Sequence, residues 1–268
     1  MTDLAARFHQ LHQESAPLLL ANAWDIGSAR LIESLGAPAI ATTSAGVAWA
    51  QGYPDGDAIP VSALAFVVAG ITRVIRIPLS VDVEGGYAND PAGVGETIAA
   101  IIDAGAVGIN IEDGTAPPDL LATKIERIKR VAAGKGVNLF VNARTDVYLQ
   151  GLVPEAERIA ETIARAARYR DAGADGIFVP GLVEPAAIRT IAAATPLPLN
   201  VLAWRGLPAA AELASLGVRR LSAGSGIAQA LWGQAAALAK AFLAEGASAP
   251  LAEGAMAYPE INALFPKR

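Results

Sequence analysis

The chain contains no cysteine, which excludes disulfide frameworks, thiolate metal sites and cysteine nucleophiles together. Histidine is nearly as scarce. His9 and His12 both lie in the N-terminal segment, so a histidine-rich metal site elsewhere is excluded, and any metal must be held by oxygen, a chemistry that suits Mg²⁺ or Mn²⁺. No uninterrupted apolar run approaches the roughly 18 residues of a membrane-spanning helix. The opening Met1-Thr-Asp-Leu4 lacks a basic segment followed by an apolar core, so no secretory signal is visible and a cytoplasmic location away from membranes is expected. Basic clusters are also missing, and with a net charge of −5 nucleic acid is not an expected partner.

Apolar residues, by contrast, make up 53% of the 268 positions. They are mostly Ala, Val, Leu and Ile in short segments, the pattern of strands buried on both faces. Eight such segments recur: Leu18 to Trp24, Ala39 to Ser44, Pro78 to Glu84, Val107 to Asp113, Leu139 to Asp146, Gly176 to Gly181, Leu197 to Ala203 and Arg219 to Gly224. Helical spacing appears between them at about 26–35, 62–74, 91–104, 155–172, 185–194 and 208–216, each stretch closed by Gly or followed by Pro. A short amphipathic helix over 4–14 precedes the first strand, and an apolar helix follows Gly226. Ala45-Gly46 follows the second strand, and then comes a loop carrying Gly52-Tyr-Pro-Asp-Gly56, which contains Asp55. Strands and helices alternating at this interval, with no linker, predict a single α/β domain over 1–268, a (β/α)₈ TIM-type barrel with additional terminal helices. The alternative, an open doubly wound sheet, lacks the glycine-rich fingerprint after its first strand.

In a barrel the functional face is the one where strands end. Asp25, Thr43, Ser44, Asp82, Glu84, Glu112 and Arg144 all leave strand C-termini. The stretch Pro78-Leu-Ser-Val-Asp-Val-Glu-Gly-Gly-Tyr87 is the most telling, because residues two apart on a strand share a face and Asp82 and Glu84 would project together. Like charges that close are tolerated most easily beside a cation. The plainer reading of the same stretch is a solvated strand end running into a Gly-Gly turn.

Thr42-Thr-Ser-Ala-Gly46, Asp82-Val-Glu-Gly-Gly-Tyr87, Ile109-Asn-Ile-Glu-Asp113 and Asn142-Ala-Arg144 resemble, in order, the motifs of the isocitrate lyase/phosphoenolpyruvate mutase superfamily. The resemblance implies a Mg²⁺-dependent barrel that makes or breaks a C–C or P–C bond beside a 2-oxo acid through an enolate. It implies that Asp82 contacts the metal directly, that Asp55, Glu84 and Glu112 hold its waters, and that Arg144, the strand-two hydroxyls and the amides of Ser44 and Ala45 grip the substrate carboxylate. The metal set is then Asp82, Glu84 and Glu112. Trp24, Thr43, Ser44, Ala45, Asp82 and Arg144 form the substrate-binding set, and Asp55, Arg144 and Tyr87 the catalytic one.

The departures are specific. The family's Ser-Gly at strand two is Thr43-Ser44 here, and its Asp-x-Asp is Asp82-Val83-Glu84. The lyases' Lys-Arg-Cys-Gly-His lid is replaced by Gly114-Thr-Ala-Pro-Pro-Asp119, and the mutases' strand-six histidine by Pro180. Acids available to protonate an enolate are therefore Tyr53, Tyr87, Lys124 or a water. The expected substrate is a small 2-oxo acid or dicarboxylate, oxaloacetate-like or a 2-hydroxy acid, cleaved at a C–C bond by decarboxylation or retro-aldol cleavage. Phosphonopyruvate or phosphoenolpyruvate chemistry is the alternative enzyme, and a non-catalytic 2-oxo acid binder the alternative class. Arg144 could equally pair with Asp146 or Glu112 for structure alone. The helix after Gly226, with Leu231, Trp232, Leu238, Phe242 and Leu243, resembles terminal helices exchanged between subunits in that superfamily. A homodimer or homotetramer is therefore expected, with residues of about 226–268 packing on a neighbouring subunit.

Overall fold

Every strand expected from the sequence forms, and all pair in parallel, but the first is divided in the computed structural model, which describes residues 2–265. In chain order the elements are α1 (Thr2–Leu11), β1 (Leu18–Leu20), β2 (Asn22–Ala23), α2 (Ile26–Ser34), β3 (Ile40–Thr42), α3 (Ser44–Ala50), α4 (Val61–Val74), β4 (Leu79–Asp82), α5 (Pro91–Asp103), β5 (Gly108–Glu112), α6 (Pro118–Gly134), β6 (Phe140–Arg144), α7 (Arg158–Asp171), β7 (Gly176–Val179), α8 (Pro185–Ala194), β8 (Leu199–Leu202), α9 (Ala210–Ser215), β9 (Val218–Ser222), α10 (Gly226–Glu245), α11 (Ala249–Ala252) and α12 (Tyr258–Ala263). The sheet order runs β1-β9-β8-β7-β6-β5-β4-β3-β2. The first barrel strand thus pairs with β9 through Leu18–Leu20 and with β3 through Asn22–Ala23, and this shared strand closes the cylinder. Residues 266–268 of the expected terminal helices lie outside the described residues.

The helices form for local reasons legible in the sequence. Asp90 caps α5 by accepting from the Ala92 and Gly93 amides, Pro91 takes the first turn, and Val94, Ile98, Ile101 and Ile102 are buried against the barrel. Asp25, grouped above with the strand-end residues, caps α2. Its carboxylate accepts from Ser28 N at 2.6 Å while the Ser28 hydroxyl accepts from the Asp25 amide at 3.0 Å. One helix was not expected. Ser44–Ala50 is helical between the second strand and the Gly52–Gly56 loop, with Thr43 extended before it and Ala45, Gly46, Val47 and Ala48 small or apolar enough to be buried.

The base of the barrel is sealed by α1. Phe8 packs edge-on to Phe140 at 5.4 Å, and the His12 ring stacks on Phe140 at 4.0 Å. Gly108 lets Phe8 in, since a Cβ there would come within 2.5 Å of its ring. Among the described residues no helix is long and apolar enough to cross a membrane.

Candidate active site

At the opposite end, β4 stops at Asp82 instead of running through Glu84. Glu84 adopts a left-handed conformation, φ 49°, so Asp82 and Glu84 do not alternate along one strand as expected. The backbone still pairs through the break: Val83 N donates to Asn110 O, and Glu112 N donates to Glu84 O at 2.9 Å. The effect is to fold the Glu84 side chain inward, where it is 4% exposed. Its carboxylate accepts from the Gly56 amide at 2.8 Å, from the Asp57 amide, and from the Tyr87 hydroxyl at 2.7 Å. Asp57 in turn accepts from the Tyr87 amide at 3.1 Å. The loop carrying Asp55 is therefore tied down on the acidic strand by Asp57, a residue the sequence reading passed over. Asp55 itself is exposed, yet it lies near enough to raise the pKa of both Asp82 and Glu84.

Arg144 sits at the centre. Its Nε and Nη2 grip Asp146 at 2.7 and 3.0 Å, and Nη1 meets Glu112 at 2.6 Å. The guanidinium also lies over the Phe178 ring at 5.9 Å. Burial alone would lower its pKa, but Glu112 and Asp146 outweigh burial and push it up. Glu112 shows the opposite balance. Burial raises it to about 8 despite Arg144, with Asp82, Asp146 and Glu84 adding repulsion. Burial likewise raises Asp82 and Glu84. Asp146 is positioned in turn by Asp113, which accepts its amide at 2.9 Å and is itself held by Arg165 at 2.8 Å and Tyr169 at 2.6 Å.

Other expected residues are placed as follows. Thr43 caps the first turn of α3 through its backbone, and Ser44 and Ala45 are the first two helical residues, so their N–H groups have no acceptor within the helix. Thr42, the neighbour not singled out, is the strand-two residue that touches the acidic strand: its hydroxyl accepts from Asp82 N at 2.9 Å. Trp24 packs behind α3, within 2.7 Å of where a Gly46 Cβ would lie. Tyr87 is engaged with Glu84, and burial together with that carboxylate drives its pKa far up. Lys124 donates to Gly85 O and Ala88 O at 2.7 and 3.0 Å, clamping the Gly-Gly turn, and burial lowers its pKa. Tyr53 faces away, lining a cavity of about 490 Å³ with Trp49 and Trp232. Beside the carboxylates a cleft of about 290 Å³ is lined by Asp57, Gly85, Glu112, Thr115 and Lys124.

Comparison with known proteins gives the chain a family. Residues 8–243 fit the model of the family described as phosphoenolpyruvate phosphomutase. The chain belongs to that family. It is 39% identical over 222 residues to an uncharacterized protein of Mycobacterium tuberculosis, covering 81% of each chain. Oxaloacetate decarboxylase 1 of Pseudomonas fluorescens is 32% identical over 230 residues, covering 81% of this chain and 77% of the relative. Among solved structures, a phosphonopyruvate hydrolase in complex with oxalate and Mg²⁺ superposes with a TM-score of 0.85 at 22% identity, covering 98% and 95% of the two chains, a likeness of fold.

A phosphomutase-family barrel implies a divalent metal, and the donors here can be tested against one. Among the described residues no three His, Cys, Asp or Glu side chains gather as a ready cluster of ligands. What the mouth offers is one buried carboxylate, Glu84, and two half-buried ones, Asp82 and Glu112, whose pKa values burial raises, the latter two close to Arg144. That donor set fits a hard cation which keeps several waters and takes few carboxylates directly.

Proposed function

We propose that this chain is a Mg²⁺-dependent lyase that cleaves the C–C bond next to the carboxylate of a small 2-oxo acid of the oxaloacetate kind, through an enolate. The observation that carries the reading is the mouth itself, where Asp82 and Glu112 face Arg144 and the Glu84 charge acts on Glu112. The metal, held by Asp82 with Glu84, Glu112 and Asp55 around its waters, would supply positive charge to the developing enolate oxygen. Arg144 binds the substrate carboxylate bidentately, exchanging Glu112 for substrate while Asp146 keeps the guanidinium oriented. Loss of CO₂ requires no proton on the leaving fragment, and the pyruvate enolate left behind takes its C3 proton from water, which suits a site whose phenol, Tyr87, is already committed to Glu84. The relationship to an oxaloacetate decarboxylase supports this choice. Pyruvate release from oxaloacetate with Mg²⁺, using Asp82→Asn as the blank, tests it; a rate no faster than the blank overturns it. The description of the family keeps C–P chemistry as the second reading, and turnover of phosphonopyruvate in that assay would select it.

We also propose that the protein works as a homo-oligomer built by exchange of α10. That helix has 20 residues, of which only Ala228 is buried among those described. Its Trp232 and Leu243 are 55% and 84% exposed, while on the barrel Leu19 of β1 is 52% exposed, the one strand residue left so bare among those described. An uncovered apolar helix and an uncovered apolar strand face on one chain are each what the other would cover on a second copy. Light scattering should give a particle of at least twice 27.4 kDa; a monomer at micromolar concentration overturns the assignment.

A further inference from the structure

Arg220 lies inside the barrel on β9 with no exposed surface, and among the described residues no carboxylate stands within ion-pair distance of it. A buried guanidinium without an acidic partner is costly. Burial lowers its pKa to about 9, and the Asp82 charge is the one that opposes the shift. Its contacts show what it does. Nη2 donates to Asn110 Oδ1 at 3.1 Å, and Nε approaches the Ser222 hydroxyl at 3.4 Å. Asn110 Oδ1 also accepts from Asn142 Nδ2 at 2.9 Å. Two donors on one oxygen fix which end of the Asn110 amide faces them, so its NH₂ group is turned the other way. Asp82 is the register partner of Asn110 on the neighbouring strand. Burial raises the Asp82 carboxyl, and Arg144, the Glu84 amide and the Asn110 side chain counteract it by charge or hydrogen bonding. Asp82 and Asn110 are register partners on β4 and β5, so the contact is built into the sheet.

We propose that Arg220 is a positioning residue of the metal site: with Asn142 it locks the Asn110 amide so that its NH₂ group is presented to Asp82 and holds that carboxylate in its ligating orientation. The inference rests on the proposed role of Asp82 as the direct metal ligand. It assigns a task to an arginine some distance down the barrel, which neither binds substrate nor touches metal. Partners behind a metal ligand are typically worth about 10–100-fold in metal affinity.

The sign of the effect separates this role from simple charge. Removing a cation from beneath an acidic site should by itself tighten Mg²⁺ binding, whereas loss of the lock should weaken it. Titration calorimetry with Mg²⁺ alone, on Arg220→Met, Asn110→Leu and the double variant, is the test. Each single variant is expected to bind Mg²⁺ about tenfold more weakly, and the double variant no more weakly than Asn110→Leu, since both act through one amide. Arg220→Met binding Mg²⁺ as tightly as wild type or tighter, or a double variant whose loss is the product of the two, overturns the proposal. Should Arg220→Met fail to fold, Arg220→Lys keeps the charge and removes the two-pronged geometry, with the same expected weakening. Asp82→Asn guards the premise. If it binds Mg²⁺ like wild type, the metal reading fails, and the lock is then judged by hydrogen exchange of the Asn110 side-chain amide: faster exchange in the arginine variant supports it, unchanged exchange overturns it.

Discussion

The two ends of the barrel are built on opposite principles. At the base, α1 plugs the cylinder with stacked and edge-on rings, Phe8, His12 and Phe140, and burial lowers His12 to about 3, so the plug is neutral. At the mouth, carboxylates crowd one arginine, and Asp57, Glu84 and Tyr87, the non-glycine residues with positive φ among those described, all lie within it. Each such conformation costs on the order of 1–2 kcal/mol, and crowding like charges adds to it. The base lowers the free energy of the fold, while the mouth holds groups where the fold alone would not put them. Destabilised geometry concentrated at one end of a barrel is a mark of function.

That contrast can be broken from either side. Asp82→Asn should abolish Mg²⁺-dependent turnover, by about a thousandfold or more if the metal supplies several kcal/mol of transition-state stabilisation, while circular dichroism and melting temperature stay near wild type. Phe8→Ala should do the reverse, costing about 3–5 kcal/mol in denaturant unfolding with KM for the 2-oxo acid unchanged. A change of KM there would mean that the two ends are coupled. Arg144→Lys keeps the charge but loses the two-pronged grip, and should weaken 2-oxo acid binding by about 10–100-fold, the worth of a charge-assisted hydrogen bond; equal affinity would leave Arg144 a purely structural partner of Asp146.

The gentlest test is pH. With a folded pKa near 3 against an ordinary 6.5, His12 stays neutral in the fold while the unfolded chain takes up a proton. Its stabilising contribution is therefore complete above about 6.5 and is lost as pH falls toward 3, by up to about 1.4 kcal/mol per pH unit. Melting temperature should fall on acidification from pH 7 to pH 5, and His12→Gln should flatten that slope; an unchanged slope would show that other groups carry the acid limb.

The barrel was largely legible because its evidence is repetitive. Short runs such as Val107–Ile111 and Leu139–Val141 can be little else when each is followed by a helical stretch. The polar strand ends were legible too, since Asp82, Glu112 and Arg144 interrupt apolar runs. What could not be read were facts of conformation and distance. Nothing in the letters of Glu84 announces a left-handed backbone, although the glycine pair behind it signals a turn, and without that turn the Tyr87 hydroxyl does not meet its carboxylate. In sequence Asp57 is one more loop acid beside Asp55. Asp113 is one more carboxylate after Glu112, yet it is the hub that Arg165 and Tyr169 reach from α7, more than fifty positions along the chain. Ser44–Ala50 was too short and too small-sided to show a helical period.

The divided first strand has a consequence for how the protein is made. Among the described residues Leu18–Leu20 pairs with Arg220–Ser222 alone, so the seam of the cylinder joins the beginning of the barrel to its end. On a ribosome adding about 5–20 residues per second, the N-terminal strand must wait on the order of tens of seconds for the segment that closes over it. During that wait its edge is open and its leucines are uncovered, and a nascent chain in that condition is a natural client for chaperones. A circular permutant that begins after β1 and carries Leu18–Leu20 behind β9 would make the closing pair local, and should shorten refolding without altering the finished mouth.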